Sequence, residues 1–482
     1  MANTSANTLM WFRQDLRLSD NPALSWALEQ GSVLPIYVLD ESAPDKAQLG
    51  GASKWWLHHS LHTLNKSLKG KLLVIKGDAS TVIRQFAKQY SVSNVVWNRL
   101  YEPWQIARDK ELKQQMSEQY CVKSFNGNLL WEPMQVLKKD ETPYKVFTPY
   151  YRKGCLQRSA PRYPLPSVDE TSAFIQADEQ VDDGEHITAL NLLPEIAWDS
   201  DFYNHWTPGE LGAKEGLAEF IEQAACSYKD DRNIPSIKGT SHLSPHLHFG
   251  EISPHQAWYA IIDNFDNAFD NPDLDCFLSE LGWREFSHYL LFHFPTIQEE
   301  NFNPKFDKFP WRKSAKDLSA WQKGKTGIPI VDAGMRELYQ TGYMHNRVRM
   351  IVGSFLVKNL LLDWREGERW FWDCLLDADM PANSASWQWV AGSGADAAPY
   401  FRVFNPVLQG EKFDKEGEYV KRYCPELSKL PNKYIHKPWD APDNILKACK
   451  IALGKDYPEP IVDLKTSRQR ALDAFAQTKD SA

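Results

Sequence analysis

Short apolar, β-branched runs alternate with stretches of helical periodicity in the N-terminal quarter of the chain. The apolar runs are TLMWF (8–12), VLPIYVL (33–39), KLLVIKG (71–77), NVVWN (94–98) and VKSFN (122–126). The stretches with helical spacing between them cover 21–30, 53–68, 79–89 and 105–118. Strands that alternate with helices of this length predict a doubly wound, Rossmann-like parallel sheet with helices on both faces.

From about residue 210 onward the apolar positions recur every three or four residues, which predicts helices. The segments with this spacing are GELGAKEGLAEFIEQAA (209–225), ISPHQAWYAIIDNF (252–265), CFLSELGWREFSHYLLFHF (276–294), VDAGMRELYQTGYMHNRVRMIVGSFLVKNLLL (331–362) and GERWFWDCLLDADMP (367–381). Residues 155–208 are rich in Pro, Asp and Glu and lack sustained periodicity, which is typical of a connection between domains. We therefore predict an α/β domain over 1–135, an interdomain linker over 136–208 and an all-helical domain over 209–482.

The apolar runs and the cysteines argue against several classes of protein. No run reaches the ~18 apolar residues of a membrane span, and the first residues lack the pattern of a signal peptide. The chain has seven cysteines, an odd number without CxxC spacing, which fits neither a disulfide framework nor a zinc or iron-sulfur site. We expect a cytoplasmic protein that does not enter a membrane and has no metal site.

The distribution of charge keeps a nucleic-acid partner open although the net charge is −8. Residues 161–220 hold thirteen Asp or Glu against two Lys or Arg, whereas residues 301–350 hold ten Lys or Arg against four Asp or Glu. A basic face on an acidic protein is consistent with this unevenness, and so is scattered, solvated charge. The nineteen Trp residues add large aromatic surfaces, which serve either core packing or the stacking of a planar ligand.

Two predicted helices place polar side chains inside strongly apolar segments. On a helix through 343–353, Asn346 and Met350 share a face and Arg349 lies beside Asn346. In FLSELGWREF, Glu280 lies one turn before Trp283 and Arg284, which joins a carboxylate to an aromatic plate and a fixed cation. Each group is also explained by an ordinary ion pair or a core aromatic, so neither is decisive alone.

Two other segments bear on ligand binding. The turn after the first strand reads RQDLRLSDNP and contains neither GxGxxG nor GxxxxGK, so it does not indicate a dinucleotide or P-loop phosphate site. In PANSASWQWVAGSGADAAPYFRVFNP, small and turn residues bracket Trp387 and Trp389. This composition indicates either a stretch of backbone that a planar ligand approaches closely or a simple packed turn.

Five longer motifs occur in the order found in a known family. They are WFRQDLRLSDNPAL (11–24), GTSHLSPHLHFGEISP (239–254), ELGWREF (280–286), GKTGIPIVDAGMRELYQTGYMHNRVRMIVGSFLVKNLLLDWREGERWF (324–371) and ANSASWQWVAGSGADAAPYFRVFNPVLQGEKFD (382–414). Together they resemble the photolyase/cryptochrome family, and within it most the bacterial cyclobutane pyrimidine dimer photolyases of class I or class III type. The resemblance runs over nearly the whole chain.

This resemblance implies a flavoenzyme that holds FAD noncovalently in the helical domain and is active with FADH−. The positions that match the family's flavin contacts are Tyr228, Thr240, Ser241, His242, Leu243, Ser244, Phe277, Arg349, Asp377, Asp379 and Asn383. Arg349 and Asp377 would pair beside the flavin ring, and the amide of Asn383 would face flavin N5.

The resemblance also implies UV-damaged DNA as the partner, with a cyclobutane dimer flipped out of the duplex. The matching positions for DNA and substrate are Arg232, Glu280, Trp283, Arg284, Asn346, Arg347, Met350, Trp389 and Gln409. Trp283 and Trp389 would clamp the faces of the dimer, and Glu280 and Asn346 would bond to its edges. With Asn383, these two residues form the implied catalytic set.

The implied reaction is a deoxyribodipyrimidine photo-lyase reaction, driven by blue or near-UV light. Excited reduced flavin donates an electron to the dimer, the cyclobutane ring splits and the electron returns, so no metal or general base is expected. Trp387, Trp364 and Trp311 match the family's tryptophan chain, through which oxidised flavin is photoreduced from the surface.

Three alternatives remain at this point. A signalling cryptochrome resembles the N-terminal half as well, but plant-type members carry Asp where this chain has Asn383. A (6-4) photolyase usually has His where Asn346 stands. A nonenzymatic single-strand binder would use Trp and Arg for stacking but would not need the flavin set.

The antenna chromophore is the least constrained prediction. The two segments that bind methenyltetrahydrofolate in class I members read YEPWQIARDK (101–110) and FPTIQEENF (294–302) here and do not keep the expected pattern. SKWWLHHSL (53–61) and SFNGNLLWEP (124–133) resemble class III members, which use that folate at another place. We expect methenyltetrahydrofolate, with deazaflavin or no antenna as the alternatives, and a monomer.

Overall fold

A five-stranded parallel sheet forms the N-terminal part of the computed structural model, which describes residues 7–168, 173–177, 185–397 and 401–478. The strand order is β3-β2-β1-β4-β5, and every neighbouring pair runs parallel. The strands are β1 Thr8–Phe12, β2 Val33–Asp40, β3 Leu73–Gly77, β4 Asn94–Asn98 and β5 Cys121–Phe125. The predicted doubly wound α/β domain is confirmed.

Four helices cover the two faces of this sheet. They are α1 Pro22–Gln30, α2 Gly51–Ser67, α3 Ala79–Gln89 and α4 Pro103–Met116. Because side chains alternate along a strand, Met10 and Phe12 pack against α1 and α2, whereas Leu9 and Trp11 pack in the layer with α3 and α4. The near-continuous apolar strands of the sequence follow from burial on both faces.

The predicted linker packs along both domains, although 169–172 and 178–184 of it lie outside the described residues. Tyr150 and Tyr151 are buried in a core cluster of the helical domain. Phe202 and Trp206 are buried in the cluster beneath α1 and α2. The boundaries at residues 135 and 208 stay predictions, since the described residues of the linker show no break in packing against either neighbour.

Helices joined by loops dominate the remainder of the described chain. Their bounds are α5 Glu185–Thr188, α6 Glu210–Gln223, α7 Tyr228–Asp231, α8 Ser244–Phe249, α9 Pro254–Asn264, α10 Pro272–His293, α11 Ala315–Gln322, α12 Pro329–Thr341, α13 Asn346–Ser354, α14 Trp364–Cys374, α15 Met380–Ala391, α16 Pro406–Phe413, α17 Glu418–Tyr423, α18 Asn432–Ile435, α19 Asp443–Cys449 and α20 Leu464–Gln477. Among the described residues no helix has both the length and the apolar character needed to cross a membrane. The predicted all-helical domain is confirmed.

Two predicted helices are divided in the structure, and one segment that was not predicted as a helix is helical. The pattern over 331–362 is broken after α12, because Gly342 takes a left-handed conformation and the His345 side chain caps α13. The pattern over 367–381 is broken after α14, and Asp379 caps a new helix. The segment around Trp387 and Trp389, for which a packed turn was an alternative, is helix α15.

Buried polar contacts fix the helical domain onto the α/β domain. Arg17 is fully buried and donates hydrogen bonds to the carbonyls of Gly127 and Gly250. Trp56 of α2 donates to the carboxylate of Glu251, which is itself fully buried, at 3.0 Å. A Cβ on Gly250 would lie 2.0 Å from the carbonyl oxygen of Gln14, so the two backbones approach closely here.

Candidate cofactor and substrate site

The pair of Arg349 and Asp377 joins helix α13 to the loop before α15. Nη2 of Arg349 donates to Asp377 at 2.9 Å, and Nε donates to the carbonyl of Met344 at 2.7 Å. Burial lowers the pKa of Arg349, but the charge and hydrogen bond of Asp377, together with Tyr343 and Glu337, outweigh burial and the net direction is upward. The guanidinium also lies 5.1 Å from the ring of Tyr343, so it is a fixed cation in a half-buried setting.

The segment that leads into α8 lies against this pair. His242 has a positive φ of 52° and stacks on Tyr343, with ring centroids 4.9 Å apart. Burial raises the pKa of Tyr343, and the side chain of Thr240 near its hydroxyl offsets a small part of that rise. Burial lowers the pKa of His242 to about 4, so its ring is neutral at pH 7. The structure therefore brings this segment, which ends at Ser244, to the Arg349–Asp377 pair.

A second ion pair links Arg232 to Glu280 of α10. Burial lowers the pKa of Arg232, but the Glu280 carboxylate together with Tyr228 and Cys276 outweighs burial, and the net direction is upward. The guanidinium lies 5.3 Å from the ring of Tyr228, which packs edge to face against Phe277 at 5.5 Å. Two predicted substrate residues and two predicted cofactor residues thus share one cluster.

The start of α13 carries the other predicted substrate side chains. Arg347 hydrogen-bonds Asn233, and its Nη1 lies 3.7 Å from the sulfur of Met350. Its guanidinium also covers the ring of Phe413 of α16, at 4.5 Å. Asn346 is the first residue of α13, and its side chain is exposed. Arg347 is in turn repelled by Arg232, so the two cations face a common region.

Trp283 presents a stacked aromatic surface. Its ring lies 3.8 Å from the ring of Phe147 at an interplanar angle of 10°, and Phe286 meets it edge to face at 5.9 Å. One face of Trp283 is therefore covered by the protein. Trp389 of α15 and Gln409 of α16 are half-buried and, among the described residues, form no ring contact or hydrogen bond with Trp283.

The amide of Asn383 is oriented by α14. Its Nδ2 donates to the carbonyl of Glu368 at 3.0 Å, while the next residue, Ser384, donates to the Glu368 carboxylate at 2.5 Å. Burial raises the pKa of Glu368 to about 7. Sequence reasoning missed Glu368, because an exposed-looking Glu in WREGERWF carries no sign that it faces a buried amide.

The three Trp residues predicted for electron transfer belong to one core cluster. Trp387 and Trp364 are buried, and Trp311 packs against the same cluster at its half-exposed edge. The ring of Trp387 lies against Gly367, where a Cβ would come within 2.1 Å of it. Trp321, which sequence reasoning did not single out, lies 6.2 Å from Trp387.

Two predicted site residues lie where the helical domain meets the α/β domain. Arg284 donates to the carbonyl of Asn128 in the α/β domain at 2.9 Å rather than joining Trp283, because side chains one residue apart leave a helix in different directions. The carboxylate of Asp379 caps α15 and lies 3.5 Å from His248 and 3.8 Å from His288. Both line a small interdomain cavity of about 20 Å³.

The donor set fits a flavin dinucleotide. Such a group combines an anionic pyrophosphate, a hydroxylated chain and a planar ring, and needs cations, hydroxyls and apolar rings. Nη1 of Arg349 forms no hydrogen bond within the described residues, and Nε2 of His345 is buried without a partner there. With Thr240 and Asp377 they leave polar capacity that a bound dinucleotide would satisfy. No three His, Cys, Asp or Glu of the described residues are arranged for a metal ion.

Replacing Glu337 with Gln is expected to reduce the pH dependence of thermal stability. Burial raises the pKa of Glu337 to about 7 from 4.5, although Tyr419 and the backbone of His345 donate to its carboxylate. The folded protein therefore holds a proton that the unfolded chain releases, and this stability is present below pH 4.5 and lost as pH rises through about 7. The variant should gain ~2 kcal/mol at about pH 8 and little at about pH 5. Melting curves at both values check this, and an equal gain at both would contradict it.

Comparisons with known proteins agree over the whole chain. The family model described as DNA photolyase matches residues 8–168, and the model for the FAD binding domain of DNA photolyase matches residues 277–477. A deoxyribodipyrimidine photo-lyase of Agrobacterium fabrum is 48% identical over 99% of both chains. Cryptochrome-2 of Arabidopsis thaliana is 39% identical over 98% of this chain and 79% of its own length.

A solved structure extends this similarity to the fold. The crystal structure of a bacterial class III photolyase from Agrobacterium tumefaciens superposes with a TM-score of 0.92, at 48% identity, over 99% of this chain and 98% of that one. The two family models together cover both the parallel sheet and most of the helical domain. The chain therefore belongs to the photolyase/cryptochrome family.

Proposed function

We propose that this protein is a deoxyribodipyrimidine photo-lyase that binds FAD and uses blue light to split cyclobutane pyrimidine dimers in UV-damaged DNA. The observation that carries the proposal is one cluster in which Arg232, Glu280 and Arg347 adjoin the residues of the flavin set. Family membership and 48% identity to a photo-lyase support the same activity.

The chain's own residues bind and orient a flipped dimer. The Glu280 carboxylate and the Asn346 amide hydrogen-bond the imide and carbonyl edges of the two bases. Trp283, held flat by Phe147, offers its uncovered face for stacking. Arg232 and Arg347 contact phosphates, so binding weakens with salt. A dimer already stacks poorly in duplex DNA, which lowers the cost of flipping it.

FAD, when bound, supplies the light-excited electron that splits the dimer and recovers it afterwards. Arg349 and Asp377 form the charged pair beside the ring, and Thr240 supplies a hydroxyl. Asn383, fixed by Glu368, presents its amide to the flavin edge. The protein orients the two reactants and shields them from water, and no side chain transfers a proton to the dimer.

Two lesions on otherwise identical oligonucleotides test the proposed substrate. We expect purified protein to contain flavin in a ratio of about one to one, to repair the cyclobutane dimer under blue light, and not to repair the (6-4) product. Reverting a (6-4) product must also return an oxygen or nitrogen substituent, which needs an acid that Asn346 cannot supply. Efficient (6-4) repair, or folded protein that takes up no FAD, would refute the proposal.

Replacing Glu280 with Ala is expected to lower dimer repair about tenfold while flavin content stays unchanged. The substitution removes a bond to the dimer and leaves Arg232 without its partner. Repair rate under limiting light and the flavin-to-protein ratio are the measurements. Glu219→Ala, which removes a similar but exposed carboxylate paired with Lys238, is the matched control and should repair normally. Equal repair by both variants would remove Glu280 from the site.

A cryptochrome photoreceptor is the second candidate, because Cryptochrome-2 of Arabidopsis thaliana matches 98% of this chain. Asn383 favours repair instead, since plant-type cryptochromes carry Asp at the matching position. A protein that is photoreduced normally but neither binds nor repairs the dimer would support the photoreceptor.

For the antenna we propose methenyltetrahydrofolate, on the resemblance of segments 53–61 and 124–133 to class III members. Trp55 and Trp56 are fully buried in the core and do not supply a stacking surface. The cavity lined by Glu102 and Asn128 has room for about one water, so a folate would bind outside it. Chromatography of released chromophores decides between folate, deazaflavin and none.

The carboxyl edge of the sheet argues against an antenna bound at the switch point of the α/β domain. Parallel sheets bind ligands at the switch point, here between the carboxyl ends of β1 and β4. Arg13 occupies that place and donates a hydrogen bond to Asp109 at 2.6 Å, and Asn98 donates one to Asp15 at 2.6 Å.

We also propose that the protein acts as a monomer in the cytoplasm. Its seven free cysteines accord with a reducing compartment.

A further inference from the structure

Lys358 is a buried cation that the proposed reaction does not use. It lies in the π-helical segment Phe355–Asn359 that continues α13, and only 2% of its surface is exposed. Within the described residues its ammonium has no carboxylate partner. Burial lowers the pKa of Lys358 to about 7. A buried charge of this kind destabilises the fold, so an apolar residue of the same length would be the more stable choice.

The ammonium of Lys358 contacts one loop segment, Phe401–Asn405. Its Nζ lies 3.5 Å from the ring centroid of Phe401 and donates to the carbonyl of Arg402 at 3.3 Å. The ring of Phe401 stacks on Phe475 of α20, with centroids 4.6 Å apart and an interplanar angle of 8°. Lys358 and helix α20 therefore both contact the first residue of the segment and fix its position.

The same segment extends to the proposed substrate site. Phe404 donates its backbone N–H to Ser354, the last residue of α13, at 3.3 Å. Asn405 caps α16, the helix that carries Gln409 and Phe413. The guanidinium of Arg402 is exposed and repels that of Arg347. Two cations held near each other favour the binding of an anion that offsets their repulsion, as a DNA phosphate would do here.

We propose that Lys358 is a positioning residue for DNA binding: it fixes the segment Phe401–Asn405 so that the exposed guanidinium of Arg402 meets a phosphate beside the flipped dimer. This inference rests on the proposed function. Lys358 does not touch DNA itself, because it lies beneath the segment. Its contribution to affinity therefore passes through Arg402.

The test compares Lys358→Met, Lys358→Arg, Arg402→Met and the double variant Lys358→Met with Arg402→Met. The Lys358→Met protein should keep its flavin and melt no lower than the unaltered protein, but bind dimer-containing duplex about tenfold more weakly. Its KM for repair should rise while kcat holds. The slope of log Kd against log salt should fall by about one unit, as for one lost phosphate contact. Lys358→Arg, which retains the cation, should recover most of the affinity.

The double variant separates positioning from a general structural effect. If Lys358 acts through Arg402, the double variant should bind no more weakly than Arg402→Met alone, because one contact is lost in each case. Lys447→Met, which removes an exposed cation of α19, controls for net charge. Normal affinity of Lys358→Met, or affinity losses that add in the double variant, would overturn the inference. Failure of the unaltered protein to bind or repair the dimer would instead refute the proposed function.

Discussion

Arg349→Met is expected to give protein that is purified without flavin and is less stable by ~3 to 5 kcal/mol. The substitution removes the cation that holds Asp377 and leaves a carboxylate buried without its partner. It also removes the donors that face the proposed flavin ring. The flavin-to-protein ratio after gel filtration and the free energy of unfolding in urea measure the two effects.

Two further variants separate cofactor binding from stability. Adding Asp377→Asn removes the unpaired charge, so the double variant should regain most of the stability and still lack flavin. Arg336→Met breaks another part-buried pair, with Glu426, and should retain flavin at the normal ratio. A double variant that recovers both stability and flavin would show that Arg349 matters only for folding.

Trp387→Phe is expected to abolish blue-light reduction of oxidised FAD while leaving dimer repair nearly normal in protein reduced chemically beforehand. The tryptophan chain only prepares the cofactor, so the repair step does not need it. Phe fits the site, because the indole is wedged between Gly367 and Phe371, whose ring lies 5.0 Å away, and a smaller ring causes no overlap. Steady-state spectra under blue light with a thiol donor record the reduction.

Trp439→Phe is the matched control for this variant. Trp439 packs against the same core cluster, so its replacement perturbs packing in a similar way without touching Trp387. We expect the control to be photoreduced at the normal rate. Undiminished photoreduction of the Trp387 variant would remove that residue from the route, and loss in both variants would point to a general packing effect.

The sequence was most informative where burial alone determines structure. Strands β1 and β4 are apolar on both faces, and this can be read directly from TLMWF and NVVWN. The division of 331–362 into α12 and α13 was not predicted, because helical periodicity continues across it. Gly342 and His345 were the available signals, since glycine favours the left-handed end of a helix and a polar side chain can cap the next.

Side-chain direction limited the prediction of the site. Glu280 and Arg284 are one turn apart on α10, yet Glu280 pairs with Arg232 and Arg284 bonds to the α/β domain. The neighbour that a side chain contacts depends on tertiary packing, and the local sequence around the residue does not reveal that packing. Lys358 was missed for a related reason: FLVKNLLL shows a lysine in an apolar run, but not the Phe401 ring above it.

The contacts of Arg17, Glu251 and Gly250 restrict how members of this family can be recombined. A chimaera with its α/β domain from one parent and its helical domain from another keeps the partners of the fully buried Arg17 and Glu251 only when both parents carry the same residues at these positions. Any side chain in place of Gly250 would also strike the backbone at Gln14. Crossovers that keep residues 14–17, Trp56 and 250–251 from the same parent should therefore give folded libraries, whereas a cut at the linker between parents that differ at these residues should not.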